Sequence, residues 1–306
     1  MTSQRHSIEQ LEDGQSLPKI SIVTPSFRSA RFIESTINSV LSQAYPQLEY
    51  IVIDGAGDET AEILRRYDGH IAYWCSEPDD GQYDAINKGF ARATGDIFYW
   101  INADDMLLPN ALFVVANAFT RFAEVKWLSS LKPAYFDSQG YLADVSCSPG
   151  FSKQAFLEGR MLPGGSQSAF WIQQESTFFR RSLWEAAGAR IPSRGLAGDF
   201  ALWAAFYRHA DLFGLDYPLG GFRTREGQRS LDIASYRREA GAALDGLRRE
   251  TRWQTSLPSR LRQSAVARIP KVKGAVRRLA GYSGMKIVNR DRRRAEWVRE
   301  DYRFLI

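Results

Sequence analysis

The chain has 306 residues, 44% hydrophobic and 13% aromatic, with a formal charge of +5. That is enough apolar surface for a sizeable core, and it excludes a disordered chain. No run approaches the roughly 18 apolar residues that cross a bilayer, and Met1 to Leu17 is polar, without the apolar centre of a secretory signal, so a cytosolic protein is expected. Cys75 and Cys147 fit neither a metal-ligand spacing nor a disulfide framework and are read as small reduced core residues.

Residues 1–18 are read as a flexible leading segment. Ile20 to Thr24 is a short apolar run stopped by Pro25, and Ile33, Ile37, Val40 and Leu41 follow at helical spacing. Tyr50 to Ile53 gives a second strand closed by Asp54-Gly55, and Glu59 to Tyr67 a second helix. A weaker strand at Ile71 to Trp74 leads through a Pro/Asp/Gly loop to a helix over Gln82 to Arg92. A fourth strand, Ile97 to Ile101, ends at Asn102-Ala103-Asp104-Asp105, and Pro109 suits the first turn of a helix reaching about Phe122.

This alternation predicts an α/β fold, a doubly wound and mostly parallel sheet flanked by helices, with its ligand site at the carboxyl ends of the strands. The adjacent carboxylates of Asp104 and Asp105 then stand at the sheet mouth. Two readings are open: a divalent cation held against a phosphate-bearing ligand, or a solvated acidic turn. The chain has no Gly-x-Gly-x-x-Gly after the first strand and no Walker-type phosphate loop, so a bound phosphate needs positive charge from elsewhere.

After Trp127 the alternation breaks. Ala134 to Asp144 reads as a hairpin turned at Ser138-Gln139-Gly140, Gly164-Gly165 as a flexible loop, and Gln174 to Arg180 as a strand entering a helix over Arg181 to Ala187. Asp199 precedes the helical pattern Phe200, Leu202, Trp203, Phe206, Tyr207, a position that favours an ionised carboxylate and equally suits a plain N-cap. The main domain is placed at 19–229, with halves at 19–127 and 128–229.

From Arg237 to Ile306 there are 19 Lys/Arg against 7 Asp/Glu, so the rest of the chain is net acidic. Residues 230–306 are therefore read as a basic helical extension broken at Pro258 and Pro270. With Leu231, Ile233, Leu247, Trp253, Leu257, Leu261, Val266 and Ile269 among the cations, it either packs on the domain or lies on an anionic membrane surface. Nothing in the sequence has the signature of nucleic-acid binding.

Seven segments, in order over roughly residues 19 to 230, together resemble the family 2 glycosyltransferases. They are Ser21 to Phe27 (Ser-Ile-Val-Thr-Pro-Ser-Phe), Tyr50 to Gly55, Ser76 to Gly89 with its Glu-Pro-Asp-Asp-Gly core, Thr94 to Ile97, Asn102 to Asp105, Gln174 to Arg180, and Gly198 to Trp203. The resemblance implies the nucleotide-sugar-binding fold called GT-A and a metal-dependent, inverting, hexosyl-type transfer. On that resemblance the donor would be a UDP-, GDP- or dTDP-sugar, and the acceptor a glycan or a lipid-linked saccharide in cell-surface polysaccharide synthesis.

It also implies roles for individual residues. Thr24 and Asp54 would contact the nucleoside, and Asp79 and Asp84 would close over the nucleotide. Lys88 would contact the diphosphate, a solvated helix lysine being the alternative. Asp104 and Asp105 match the motif that binds Mn²⁺ or Mg²⁺, the second as the direct ligand, and Asp199 matches the catalytic base. Gln174 and Glu175 suit either a donor or acceptor contact or a structural strand edge.

The sequence departs from the family pattern twice. Where a Phe-Arg-x-His-x-x-Gln-x-Ser segment often supplies a metal-binding histidine, Phe222 to Ser230 has Arg225, which cannot ligate a metal and is expected to pair with the diphosphate. The acidic residue that commonly precedes the base is replaced by Gly198. A peripheral position at the inner membrane face follows from the basic segment as an expectation. Two other readings are a sugar-nucleotide- or glycan-binding subunit without turnover, and a nucleotidyltransferase, for which the glycine-rich loop is missing.

Overall fold

The computed structural model describes residues 16–164, 170–192, 194–255, 278–291 and 296–306. Gly165 and the positions Leu257, Pro258, Leu261, Val266, Ile269 and Pro270 lie outside the described residues, as does nearly all of the leading segment.

The alternation runs as expected through β1 (Ile20–Ser26), α1 (Ile33–Leu41), β2 (Leu48–Asp54), α2 (Thr60–Arg65), β3 (Tyr73–Ser76), α3 (Gln82–Arg92) and β4 (Ile97–Trp100). β1 pairs in parallel with β2 and β4, and β2 with β3. Both faces of β1 and β4 are buried, which is why their sequences read as continuous apolar runs rather than as alternation.

Next come β5 (Met106–Leu107), α4 (Ala111–Arg121), β6 (Trp127–Ser130) and the hairpin of β7 (Ala134–Phe136) with β8 (Leu142–Val145), antiparallel as expected. Then follow α5 (Lys153–Leu157), a 3₁₀ turn at Gln174–Ser176, β9 (Thr177–Arg180), α6 (Arg181–Ala186), α7 (Gly198–Phe206), β10 (Phe213–Leu215), β11 (Gly220–Arg223), α8 (Ile233–Glu250), β12 (Tyr282–Asp291) and β13 (Glu296–Phe304). Among the described residues the large sheet has nine strands, ordered β13-β12-β10-β6-β9-β4-β1-β2-β3, and a small one is ordered β5-β11-β7-β8.

The antiparallel insertion of β9 between β4 and β6 matters most for the site. Because Phe98 pairs with Phe179 and Ile97 with Arg180, the residues that precede β9 run beside those that follow β4. Tyr99 stacks on Phe178 at 4.0 Å and donates its hydroxyl to the carbonyl of Glu175 at 2.8 Å, fixing that juxtaposition. Gly220 of β11 presses on the same carbonyl, where a Cβ would lie 1.8 Å from the oxygen, so the position has no room for a side chain. Helix α7 is apolar on most sides and buried, with Trp203 stacked between Trp100 and Trp127 at 5.6 Å from each.

Two expectations are corrected. The reading of 230–306 as helical holds for α8, where Ala240, Leu244 and Leu247 form one buried stripe. It fails at β12 and β13, which pair antiparallel with each other and join the large sheet in parallel through β10. Pairing of that kind is decided by distant partners, and an Arg-rich composition carries little local trace of it. Of the two placements left open for this segment, α8 takes packing on the domain: Arg248 donates to the carbonyl of Leu157 at 2.8 Å and Arg208 pairs with Glu250. Finally, Cys147 is exposed and Cys75 half-buried, so neither is a core residue.

Candidate active site

A cleft of about 510 Å³ opens at the carboxyl ends of β1 and β4. Asp79, Asp104, Asp105, Glu175, Asp199, Arg225 and Tyr236 contribute to its wall, together with the exposed ring of Phe27.

The acidic turn after β4 is held from three sides. The Thr36 hydroxyl of α1 lies 2.9 Å from the carbonyl of Ala103 and 2.7 Å from that of Asp105. The Asp105 carboxylate is fully buried, accepting the Arg223 amide at 2.8 Å on Oδ1 and the Asn102 amide group at 2.9 Å on Oδ2. Asn102 is in turn tied to Gln82 at 2.6 Å and to Gln174 at 3.2 Å. Asp104 faces the cleft, its Oδ2 accepting from Arg225 Nε at 2.6 Å, while the Arg225 guanidinium lies 5.2 Å over the Phe32 ring.

Burial, then the neighbouring Glu175 and Asp104, push the Asp105 carboxyl well above the usual carboxylate range. Glu175 is raised too, by burial first and then by Asp199 and Asp104. Oxygen-rich crowding of this kind suits a hard divalent cation, whose charge would relieve it. Among the described residues no three carboxylate, His or Cys side chains already surround one point. The arrangement therefore fits a cation held by one or two carboxylates and completed by phosphate oxygens of a ligand, the usual way Mg²⁺ is bound.

Asp199 sits in the first turn of α7, where the helix terminus favours a negative charge. Its Oδ1 accepts the Phe200 amide at 2.8 Å, and the Tyr236 hydroxyl lies 3.0 and 3.1 Å from its two oxygens. Tyr83 adds a longer contact at 3.4 Å. Burial raises the Asp199 carboxyl to about 6, against the lowering effect of these donors. The carboxylate is thus ionised at neutral pH and more basic than an ordinary aspartate, as a general base needs to be. Gly198 explains its own departure from the family pattern, because a Cβ there would lie 2.7 Å from the Tyr83 ring and push that tyrosine off the site.

The structure brings Asp79, Asp104, Asp105, Asp199 and Arg225 to one cleft, and it places the other four residues elsewhere. Thr24 is fully buried with its hydroxyl 3.0 Å from that of Tyr50, so it does not line the cleft. Asp54 lies beneath the surface, its Oδ2 accepting from Ser76 at 2.6 Å and from the Ala56 amide at 3.2 Å, while Oδ1 is buried without a hydrogen-bond partner among the described residues. Asp84 and Lys88 pair with each other at 3.0 Å along α3, outside the cleft wall. Asp79 accepts the Gly81 amide at 2.8 Å and shapes the turn into α3. Sequence reasoning missed Tyr236, Tyr83, Asn102 and Gln82. Gln82, Tyr83 and Asn102 lay within quoted motifs, whereas Tyr236 had no local signal.

The model of the family described as glycosyl transferase family 2 matches residues 21–177, just over half of the chain. An uncharacterized glycosyltransferase of Mycobacterium tuberculosis is 33% identical over 194 residues, spanning 62% of this chain and 70% of that protein. A putative teichuronic acid biosynthesis glycosyltransferase of Bacillus subtilis, TuaG, is 35% identical over 94 residues, 29% of this chain and 36% of its own. Among solved structures, S. aureus TarS residues 1–349 in complex with UDP-GlcNAc superposes with a TM-score of 0.52 at 15% identity, covering 85% of this chain and 79% of that one, a likeness of fold. The chain belongs to glycosyltransferase family 2 and is a glycosyltransferase with a GT-A fold.

Proposed function

We propose that the cleft binds a nucleotide sugar and transfers its sugar to a saccharide hydroxyl in one displacement, with inversion at the anomeric carbon. The observation that carries this reading is the shared cleft of Asp199 with Asp104, Asp105 and Arg225. Asp199 takes the proton of the acceptor hydroxyl as that oxygen attacks, and Arg225 meets the diphosphate. Asn102 and the Arg223 amide hold the Asp105 carboxylate in place. Asp104 and Asp105 would hold a Mn²⁺ or Mg²⁺, which would supply positive charge beside the departing nucleoside diphosphate.

The likeness to TuaG, described as a putative teichuronic acid biosynthesis glycosyltransferase, supports a role in polysaccharide synthesis, and the acceptor in this reading is a glycan or a lipid-linked saccharide of the cell surface. A lipid-linked acceptor would be met at the inner leaflet by the basic segment. Leu231 and Ile233 are exposed near the cleft residues Arg229 and Tyr236, and no helix of the described residues is long and apolar enough to cross a membrane. Co-sedimentation of the full chain with anionic but not neutral vesicles is expected; equal recovery on both counts against this placement.

The donor reading is tested by thermal melting with a panel of UDP-, GDP- and dTDP-sugars, beginning with UDP-GlcNAc, the sugar nucleotide in the TarS complex. One base class is expected to raise Tm by several degrees with Mn²⁺ and much less with EDTA, since a ligand at about 100 times its Kd adds about 2.7 kcal/mol. No shift with any donor would remove the reading.

A further inference from the structure

Tyr236 enters the cleft from the first turn of α8, and its phenol oxygen spans the Asp199 carboxylate at 3.0 and 3.1 Å. The two carboxylate oxygens are not equivalent. Oδ1 also takes the Phe200 amide and the longer contact to Tyr83, whereas Oδ2 has Tyr236 as its one partner among the described residues. A base that receives a proton from an incoming hydroxyl needs a lone pair that faces the cleft, and Oδ2 is the oxygen with capacity to spare. The phenol covers it. A hydroxyl group donating to that oxygen is the geometry an acceptor sugar must reproduce.

Resting on the reading of Asp199 as base, we propose that Tyr236 stands in for the acceptor hydroxyl and keeps water off Asp199 until an acceptor displaces the phenol. Water in that place would complete a wasteful reaction. Its oxygen would bond to the anomeric carbon, its proton would pass to Asp199, and the bond from that carbon to the diphosphate oxygen would break with its electron pair leaving on the nucleoside diphosphate. The net result is hydrolysis of the donor.

Two further observations fit the role. Burial and the charge of Asp199 push the Tyr236 phenol well above its ordinary pKa, so it remains a donor throughout the working range. The helix that carries it is anchored to the loop that carries the base, because Glu239 accepts the amides of Leu196 and Ala197 at 2.6 and 3.1 Å. Only the side chain need turn aside for an acceptor. Tyr236 is in this sense a positioning residue that acts through Asp199.

The test is release of nucleoside diphosphate without any acceptor, using the full chain, Mn²⁺ and the panel donor that stabilises it most. Asp199→Asn is run beside the wild type. Hydrolysis that survives this change overturns the base assignment itself. With the base confirmed, Tyr236→Phe is expected to hydrolyse the donor about tenfold faster than wild type, the factor of one hydrogen bond released from the base. General damage lowers rates, so a gain cannot come from misplacement. A Tyr236→Phe rate equal to or below that of wild type overturns the tyrosine's role and leaves the base assignment standing. If the Phe variant melts early, Tyr236→Leu is read in the same way.

Discussion

Asp199→Asn is expected to lower sugar transfer by about 10²–10⁴-fold while donor binding persists, because a positioned general base contributes about that factor. The amide keeps the shape of the side chain and can still accept the Phe200 amide, the 2.8 Å bond that seats it in α7. What it loses is the capacity to take a proton. The same group sets the pH response. Transfer needs the ionised form, burial has raised its pKa to about 6, and so turnover should hold at neutral pH and fall as pH drops through about 6. Donor binding and melting temperature measured on both proteins separate this from unfolding. A variant that transfers at the wild-type rate would leave Asp199 as an N-terminal helix residue with no chemical task.

Arg225→Ala is expected to weaken donor binding about 10- to 100-fold, in line with the value of hydrogen bonds to a charged partner. Arg225 Nε now rests 2.6 Å from Asp104, and its backbone amide is fixed by Gln228 at 2.9 Å, so the guanidinium is already presented at the cleft. Arg225→Lys should fall between wild type and alanine, since an ammonium keeps the charge and loses the fork that suits a diphosphate. The ion pair with Asp104 is partly exposed, so its loss should change Tm little. Calorimetric titration of donor into the three proteins checks the order. If donor binding and turnover both survive Arg225→Ala unchanged, Arg225 is a surface partner of Asp104 and no diphosphate ligand.

The first half of the fold was legible because β1, β4 and most of β2 are buried on both faces and the helices between them carry apolar stripes, so periodicity carried the assignment from Ile20 to Trp100; the half-buried edge strand β3 left the weakest trace. The acidic turn was legible for the same reason, as a polar ending to an apolar strand. What stayed hidden depended on partners far away in sequence. Tyr236 meets Asp199 across 37 positions and Arg223 meets Asp105 across 118. Nothing around Tyr236 in its Arg-rich helix marks it as different from a surface tyrosine. The hairpin of β12 and β13 has the same cause, since its strands are set by pairing with each other and with β10.

Among the residues taken from motif position, Thr24 and Asp84 lie outside the cleft wall. Thr24 turns its hydroxyl to Tyr50 inside the sheet, and Asp84 uses its carboxylate on Lys88 one turn along α3. Glu175, left open between a structural and a ligand-facing role, anchors Tyr99 through its carbonyl while its side chain is part of the cleft wall.

The most direct measurement of the account is the anomeric configuration of the sugar released or transferred from the stabilising donor, followed by proton NMR at early times. A single displacement driven by Asp199 predicts a product of inverted configuration, one per nucleoside diphosphate formed. Retention at the anomeric carbon, or no cleavage of a donor that demonstrably binds, would contradict it.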